Sequence, residues 1–325
     1  MTLNITIIGL GQIGTSIGLA LAEKKADARR IGHDKNPETA KEAQRLGAID
    51  DVKFNLPASV KDAGLVLLCL PLDQLRPTLE IIAPDLREDA VVIDFSPSKV
   101  AIAAWVKEIL PQHCHYVGLT PALNASYLHD IDFGLSAARP DLFNGAAMLL
   151  DMPRNTPEQA MQLASNLTLA LGAHPIFADS AEADGMMASV HLLPQLAAAA
   201  LLNSTLEQAG WHEARQLASK PYALVTSAIA ETDSLREAAL SNKENTLRVL
   251  DSLIASLNNL RAAISAGDAD WLDQRLQSAR EGRLRWWQGR ARGQWQDAAP
   301  QTADSPAFLA NLKQALWGER RKPSK

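Results

Sequence analysis

The sequence predicts an α/β protein in which a doubly wound, mostly parallel sheet is followed by an all-helical domain. Short apolar runs alternate with helical periodicity through residues 1–179, and apolar strands separated by helices mark a parallel sheet covered on both faces. A Gly-x-Gly-x-x-Gly run joins the first strand to the first helix. From Ala181 to Trp287 only helical spacing remains.

Asn4-Ile5-Thr6-Ile7-Ile8 reads as a buried strand and Ile13 to Lys24 as a helix. Arg30 to Asp34 is a second strand, and a helix runs from Pro37 to Leu46. Gly64 to Leu70 and Ala90 to Asp94 are strands apolar on both faces, which Tyr116 to Leu119 and Ala146 to Leu150 extend. A helix from Pro157 to Leu171 leads to a last strand, Pro175 to Ala178. In the second domain, residues 180–288, Met186, Met187, Val190, Leu193, Ala197 and Leu201 fall at helical spacings, and the two methionines read as core packing. Pro194 predicts a kink there. Leu247, Leu250, Leu253, Ile254, Leu257, Leu260 and Ile264 form a second long apolar stripe. Gly267 and Asp268 then mark a turn before the helix carrying Trp271, Leu272 and Leu276. Residues 289–325 read as a polar linker, Gly289 to Ser305, and a short helix carrying Phe308, Leu309, Leu312, Leu316 and Trp317.

A chain of 325 residues accommodates two domains. Its net charge of −5 argues against nucleic acid as the main partner, because neutralising phosphates takes a basic face. No uninterrupted apolar run reaches the roughly 18 residues of a membrane span. Two cysteines make no disulfide framework, and the start carries no secretion signal, so the expected location is the cytoplasm. Long apolar helix faces predict a homodimer through the helical domain.

Gly9-Leu10-Gly11-Gln12-Ile13-Gly14 sits between a strand and a helix, the context that makes this pattern a Rossmann-type dinucleotide site. Gly9 makes the tight turn, Gly11 admits the pyrophosphate, and Gly14 lets helix and strand approach. The helix N-terminus offers unpaired N–H groups to the phosphates. Asp34, at the end of the second strand, suits the adenosine ribose and repels a 2′-phosphate, which favours NAD; Lys35 keeps NADP open. Leu70-Pro71 and Asp94-Phe95-Ser96-Pro97-Ser98-Lys99 close two further strands at the edge where ligands bind, with the hydroxyls and Lys99 toward the nicotinamide end. His113-Cys114-His115 lies along a strand, where alternation separates the side chains, so no metal is predicted. Trp286-Trp287 reads as helix packing.

Across residues 3–288 the chain resembles the prephenate/arogenate dehydrogenase family. The resemblance rests on Gly9 to Ser16, Asp34, Leu65 to Pro71, Asp94 to Lys99, Asp141-Leu142-Phe143, Leu171-Gly172-Ala173, Leu193-Pro194, Leu240-Ser241-Asn242-Lys243 and Ala266-Gly267-Asp268. It implies a dinucleotide domain plus a dimerising helical domain, and oxidation of a cyclohexadienol with hydride transfer to nicotinamide and loss of carbon dioxide. The family's catalytic histidine lies in a His-Pro-hydrophobic-Ala-Gly run, where this chain has Thr120-Pro121-Ala122-Leu123-Asn124. Its Ser-His-Leu-Pro-His is replaced by His191-Leu192-Leu193-Pro194-Gln195, and its Phe-Arg-Asp-x-Thr-Arg by Tyr222-Ala223-Leu224-Val225-Thr226-Ser227. A threonine binds a hydroxyl but is no base near neutral pH, and the lost arginines remove bidentate carboxylate anchors. The expected enzyme is therefore an NAD(P)-dependent dehydrogenase with a rebuilt substrate pocket, pointing away from prephenate itself. Ser96, Thr120 and Asn124 line that pocket, His191 is the candidate acid/base, and Arg139 and Lys99 are candidate anchors for an acid group. Two other readings stay open: a dinucleotide-binding regulator or partner subunit without turnover, and a dehydrogenase or reductase for a different small alcohol or imine.

Overall fold

The computed structural model describes residues 3–25, 28–130, 132–153, 155–229 and 231–293. The helix expected around Phe308 to Trp317 lies outside the described residues. In chain order the first domain runs β1 (Leu3–Ile8), α1 (Gln12–Glu23), β2 (Ala28–His33), α2 (Pro37–Arg45), β3 (Asp51–Val52), α3 (Leu56–Val60), β4 (Leu65–Leu68), α4 (Leu72–Ile82), β5 (Val91–Asp94), α5 (Val100–Ile109), β6 (His115–Pro121), β7 (Ala147–Asp151), α6 (Glu158–Ala170) and β8 (His174–Phe177). The strands form one sheet in the order β3-β2-β1-β4-β5-β6-β7-β8. β6 and β7 pair antiparallel, and the other neighbours pair parallel. The strand order reverses between β1 and β4, and the crevice outside the carboxyl ends at such a reversal is where open α/β sheets bind ligands.

Alternate residues of each central strand feed opposite layers, which is why those strands read as continuous apolar runs. Leu65 and Leu67 join Ile5, Ile7, Ile17 and Ile93 beneath one face. Val66 and Leu68 join Ile8, Val92, Leu72, Leu79 and Ile102 beneath the other.

The second domain comprises α7 (Ser180–Met187), a π-helical turn over Ala188–Leu192, α8 (Leu193–Leu206), α9 (Trp211–Leu217), α10 (Lys220–Thr226), α11 (Thr232–Ser241), α12 (Lys243–Ala266) and α13 (Ala269–Arg292). The π turn stands where Pro194 predicted a kink. Proline has no N–H and clashes with the carbonyl four residues earlier, and the widened turn relieves both. Gln195 Nε2 donates to the His191 carbonyl at 3.0 Å in that turn. The run Ser180–Leu206 is by length and composition apolar enough to cross a membrane, but Asp184 and Leu192 within it engage the sheet domain.

Two expectations need correcting. Met186 is exposed and not core packing, and Met187 is only half-buried; with exposed Val190, Leu247, Ile254, Leu257 and Ile264 it belongs to apolar surface that the single chain leaves open. The linker expected from Gly289 does not start there, because α13 continues to Arg292 and ends at Gly293 with φ +61°; the rest of that segment lies outside the described residues. Arg290, 8% exposed, donates through its guanidinium to the Leu123 carbonyl and so ties this end of α13 to the loop after β6.

Candidate active site

The turn between β1 and α1 is built by its glycines. Gly9 has φ +89°, and a Cβ there would lie 2.4 Å from the Cys69 carbonyl oxygen at the end of β4. A Cβ on Gly14 would lie 2.0 Å from the Gly9 carbonyl oxygen. Gly11 is different: a Cβ there meets nothing within 4 Å, so its missing side chain leaves open space. Gly11 precedes α1 without a side-chain cap, leaving the first-turn N–H groups of Gln12, Ile13 and Gly14 for an anion. Leu10 is fully buried, and its carbonyl accepts the Thr15 hydroxyl at 2.8 Å, which stiffens the turn.

Asp34 follows β2 and is drawn onto this turn. Its Oδ2 accepts the Leu10 N–H at 2.8 Å and its Oδ1 the Asn36 N–H at 2.8 Å. Both oxygens keep lone pairs for vicinal hydroxyls. Lys35 beside it is exposed. Gln12 Nε2 donates to the Ala137 carbonyl at 3.2 Å, and half-buried Leu70 and Pro71 lead from β4 into α4. Open space, free N–H groups and a fixed carboxylate fit a dinucleotide.

At the next strand ends, the Thr120 hydroxyl donates to the Ser96 carbonyl at 2.8 Å, and Ser96 Oγ accepts the Ser98 N–H at 3.2 Å. Both residues are buried. Thr120 therefore has only acceptor capacity left for a ligand hydroxyl. Lys99 does not face the nicotinamide end. It is 0% exposed, and its ammonium donates to Asp94 Oδ1 at 2.9 Å, Asp94 Oδ2 at 3.0 Å and the Leu119 carbonyl at 2.9 Å. Tyr116 Oη donates to Asp94 Oδ2 at 2.6 Å. Desolvation pushes the Asp94 carboxyl up and the Lys99 ammonium down, against their mutual attraction. Three donors satisfied by three acceptors leave Lys99 nothing for a substrate acid.

Arg139 is engaged in part, with Nη1 donating to the Ser136 and Ala138 carbonyls at 2.8 Å each, two of the five donors of its guanidinium. Asn124 Oδ1 accepts the Ser126 N–H at 3.0 Å and its Nδ2 donates to the Asp141 carbonyl at 3.3 Å, so its amide organises the loop after β6. His191 lies on the π turn next to Leu192, which packs with Leu68 and Leu72 at the end of β4 and the start of α4. Its ring opens to solvent in the single chain, while the protein mass around it lowers its pKa below the ordinary imidazole value by desolvation. Among the described residues, no three or more His, Cys, Asp or Glu side chains gather as a metal site. Sequence reasoning missed Asp184, whose carboxylate reaches the Lys99 N–H from the second domain at 2.6 Å, and Ser234, whose hydroxyl accepts the Leu72 N–H at 3.0 Å. Neither carries a local pattern.

Comparison with known proteins places these features in one family. Residues 17–177 match the sequence model "Prephenate dehydrogenase, nucleotide-binding domain", and residues 179–278 match "Prephenate dehydrogenase, dimerization domain". The glycine turn precedes the first matched span. The chain is 26% identical to a prephenate dehydrogenase of Bacillus subtilis over 97% of this chain and 85% of that protein. It is 27% identical to a cyclohexadienyl dehydrogenase of Zymomonas mobilis over 86% of this chain and 95% of that protein. In fold it is similar to the A. aeolicus prephenate dehydrogenase crystallised with hydroxyphenyl propionate and NAD+, with a TM-score of 0.74 at 22% identity, covering 88% of this chain and 98% of that one.

Proposed function

We propose that this chain, which belongs to the prephenate dehydrogenase family, is an NAD(P)-dependent dehydrogenase whose substrate pocket has been rebuilt. The observation that carries the cofactor reading is the glycine turn: Gly9 and Gly14 are demanded by backbone contacts, whereas Gly11 keeps space for something that is not protein. Asp34, held against Leu10, favours NAD over NADP, because a carboxylate repels a 2′-phosphate. The nicotinamide supplies the hydride acceptor. This chain's residues bind and orient. The α1 N–H groups hold the diphosphate, and Asp34 accepts from the ribose hydroxyls. Thr120 Oγ1, fixed by the Ser96 carbonyl, lines the pocket as an acceptor, and His191 takes the proton of the hydroxyl being oxidised.

The substrate side supports a departure from prephenate. The histidine and arginine positions of the family pattern hold Thr120 and Tyr222 to Ser227; of the candidate replacement cations, Lys99 is spent on protein acceptors, and Arg139 gives two of its five N–H donors to backbone carbonyls. A neutral or monoanionic cyclohexadienol, alcohol or imine suits this site better than a dicarboxylate. The exposed apolar stripe of α12 supports a homodimer through the helical domain.

Calorimetric titration with NAD+ and NADP+, followed by a turnover screen read by nicotinamide absorbance, tests this reading. The expected result is tighter binding of NAD+ and turnover of a substrate with at most one carboxylate. Binding without turnover of any cyclohexadienol, alcohol or imine favours the regulator. No heat with either coenzyme overturns the cofactor assignment.

A further inference from the structure

Helices α4 and α5 both start at the carboxyl edge of the sheet, directly after β4 and β5. Neither caps itself: the residues before them, Pro71 and Lys99, supply no side-chain cap. Their first N–H groups are met from the other domain. Asp184 on α7 accepts the Lys99 N–H through Oδ1 at 2.6 Å and the Val100 N–H through Oδ2 at 3.3 Å. Ser234 on α11 accepts the Leu72 N–H through Oγ at 3.0 Å. Asp184 is 3% exposed and is itself held, since Asn242 Nδ2 donates to its carbonyl at 2.8 Å and Asn245 Nδ2 donates to Asn242 Oδ1 at 2.9 Å.

We propose that Asp184 and Ser234 are positioning residues through which the helical domain sets the geometry of the two active-site loops that precede α4 and α5. The inference rests on the dehydrogenase reading for its kinetic consequence but not for its structural one. The segment 94–99 is gripped at both ends. Asp94 accepts the Ser96 N–H at 2.8 Å and holds the Lys99 ammonium from inside the sheet domain. Asp184 holds the Lys99 N–H from outside it. Between the grips lies Ser96, whose carbonyl fixes Thr120. A carboxylate at a helix N-terminus gains from the helix dipole as well as from the hydrogen bonds, so Asp184 is the stronger of the two clasps. Domain packing thereby becomes a condition for placing Thr120 and Ser96, and a shift of α7 moves the site that hydride transfer needs.

The test compares Asp184→Asn, Asp184→Ala and Ser234→Ala in the full chain. Asp184→Asn keeps the shape and one acceptor but removes the charge. The expected result is a kcat lowered at least about tenfold, the factor that a lost charge-assisted hydrogen bond carries, with NAD+ affinity kept within about twofold. Amide exchange at Lys99 and Val100 rises by about the same factor in Asp184→Asn, and at Leu72 in Ser234→Ala, while strand amides stay protected. Exchange at these amides that stays at the wild-type rate overturns the capping role even if the protein turns over nothing. Raised exchange with unchanged kcat overturns the positioning role. Exchange that rises through the whole helical domain shows Asp184 to be merely structural, and Asp184→Ala fixes whether that limit is reached.

Discussion

One methyl group at Gly11 and one at Gly14 separate what the ligand needs from what the fold needs. In Gly14→Ala the new Cβ falls 2.0 Å from the Gly9 carbonyl oxygen, 3.1 Å from Ile7 Cγ2 and 3.2 Å from Cys69 Cβ. The first of these is backbone and cannot rotate away, so α1 must lift off β1. Overpacking of this kind costs about 1–3 kcal/mol, which lowers Tm by roughly 2–12 °C in a chain of this size. In Gly11→Ala the Cβ meets nothing within 4 Å, and the backbone at φ −74°, ψ −157° suits alanine. A poorer N-cap and a smaller unfolded-state entropy oppose each other, leaving stability within about 1 kcal/mol of the parent. The methyl then occupies the approach of the diphosphate, and the Kd for NAD+ rises at least about tenfold, or about 1.4 kcal/mol. Scanning calorimetry and NAD+ titration on both variants read the two effects separately. A Gly11→Ala variant that binds NAD+ as the parent does, or a Gly14→Ala variant that melts unchanged, refutes the assignment of the turn.

Asp34→Ala removes the ribose acceptor and frees the Leu10 N–H; NAD+ binding weakens by about tenfold while NADP+ binding weakens less, so equal losses in fluorescence titration count against Asp34 as the ribose ligand. His191 has a pKa below the ordinary imidazole value, so it is neutral and base-competent at pH 7, and the acid limb of kcat/KM lies below about pH 6.5. The folded state binds fewer protons there, so His191 contributes stability that is lost as pH falls through that window; His191→Asn removes the limb, and an unchanged pH–rate profile excludes it as the base. Leu257→Glu puts a charge on the exposed face of α12 through which the proposed homodimer forms, so sedimentation is expected to give a dimer for the parent and a monomer for the variant; a variant that stays dimeric places the interface elsewhere. Lys99→Met strands the buried Asp94 carboxylate and costs about 3–5 kcal/mol in denaturant unfolding at neutral pH. Asp94 then has a raised pKa, so the folded state binds the extra proton and stability returns as pH falls; a loss equal at all pH values argues against the ion pair.

The features read best from sequence are those whose causes are local. The β1–α1 turn declares itself because three glycines fall within six residues: Gly9 and Gly14 answer contacts made inside the turn or one strand away, and Gly11 leaves open space. Asp34 follows from the same unit at a fixed remove. The buried strands are legible because both faces are apolar, but the reversal of β7 leaves no mark, since an antiparallel strand at that position buries Met148 and Leu150 as a parallel one would. Lys99 misleads because lysine is ordinarily solvated, and only the packed structure shows Tyr116 and the Leu119 carbonyl completing its shell with Asp94. Asp184 and Ser234 are invisible in sequence because their partners lie 85 and 162 residues away.

Those two long-range clasps bear on how far the architecture is modular. The composition shift at Asp179 invites a cut, yet severing the chain there would leave α4 and α5 with bare amide ends. A transplant of the dinucleotide unit onto another scaffold must therefore bring α7 and α11 with it, because a capping side chain at position 71 or 99 serves the second or third amide of its helix and not those of Leu72, Lys99 and Val100. Replacing Lys99 also dismantles its buried pair with Asp94, so a cut at Asp179 breaks contacts that each side needs.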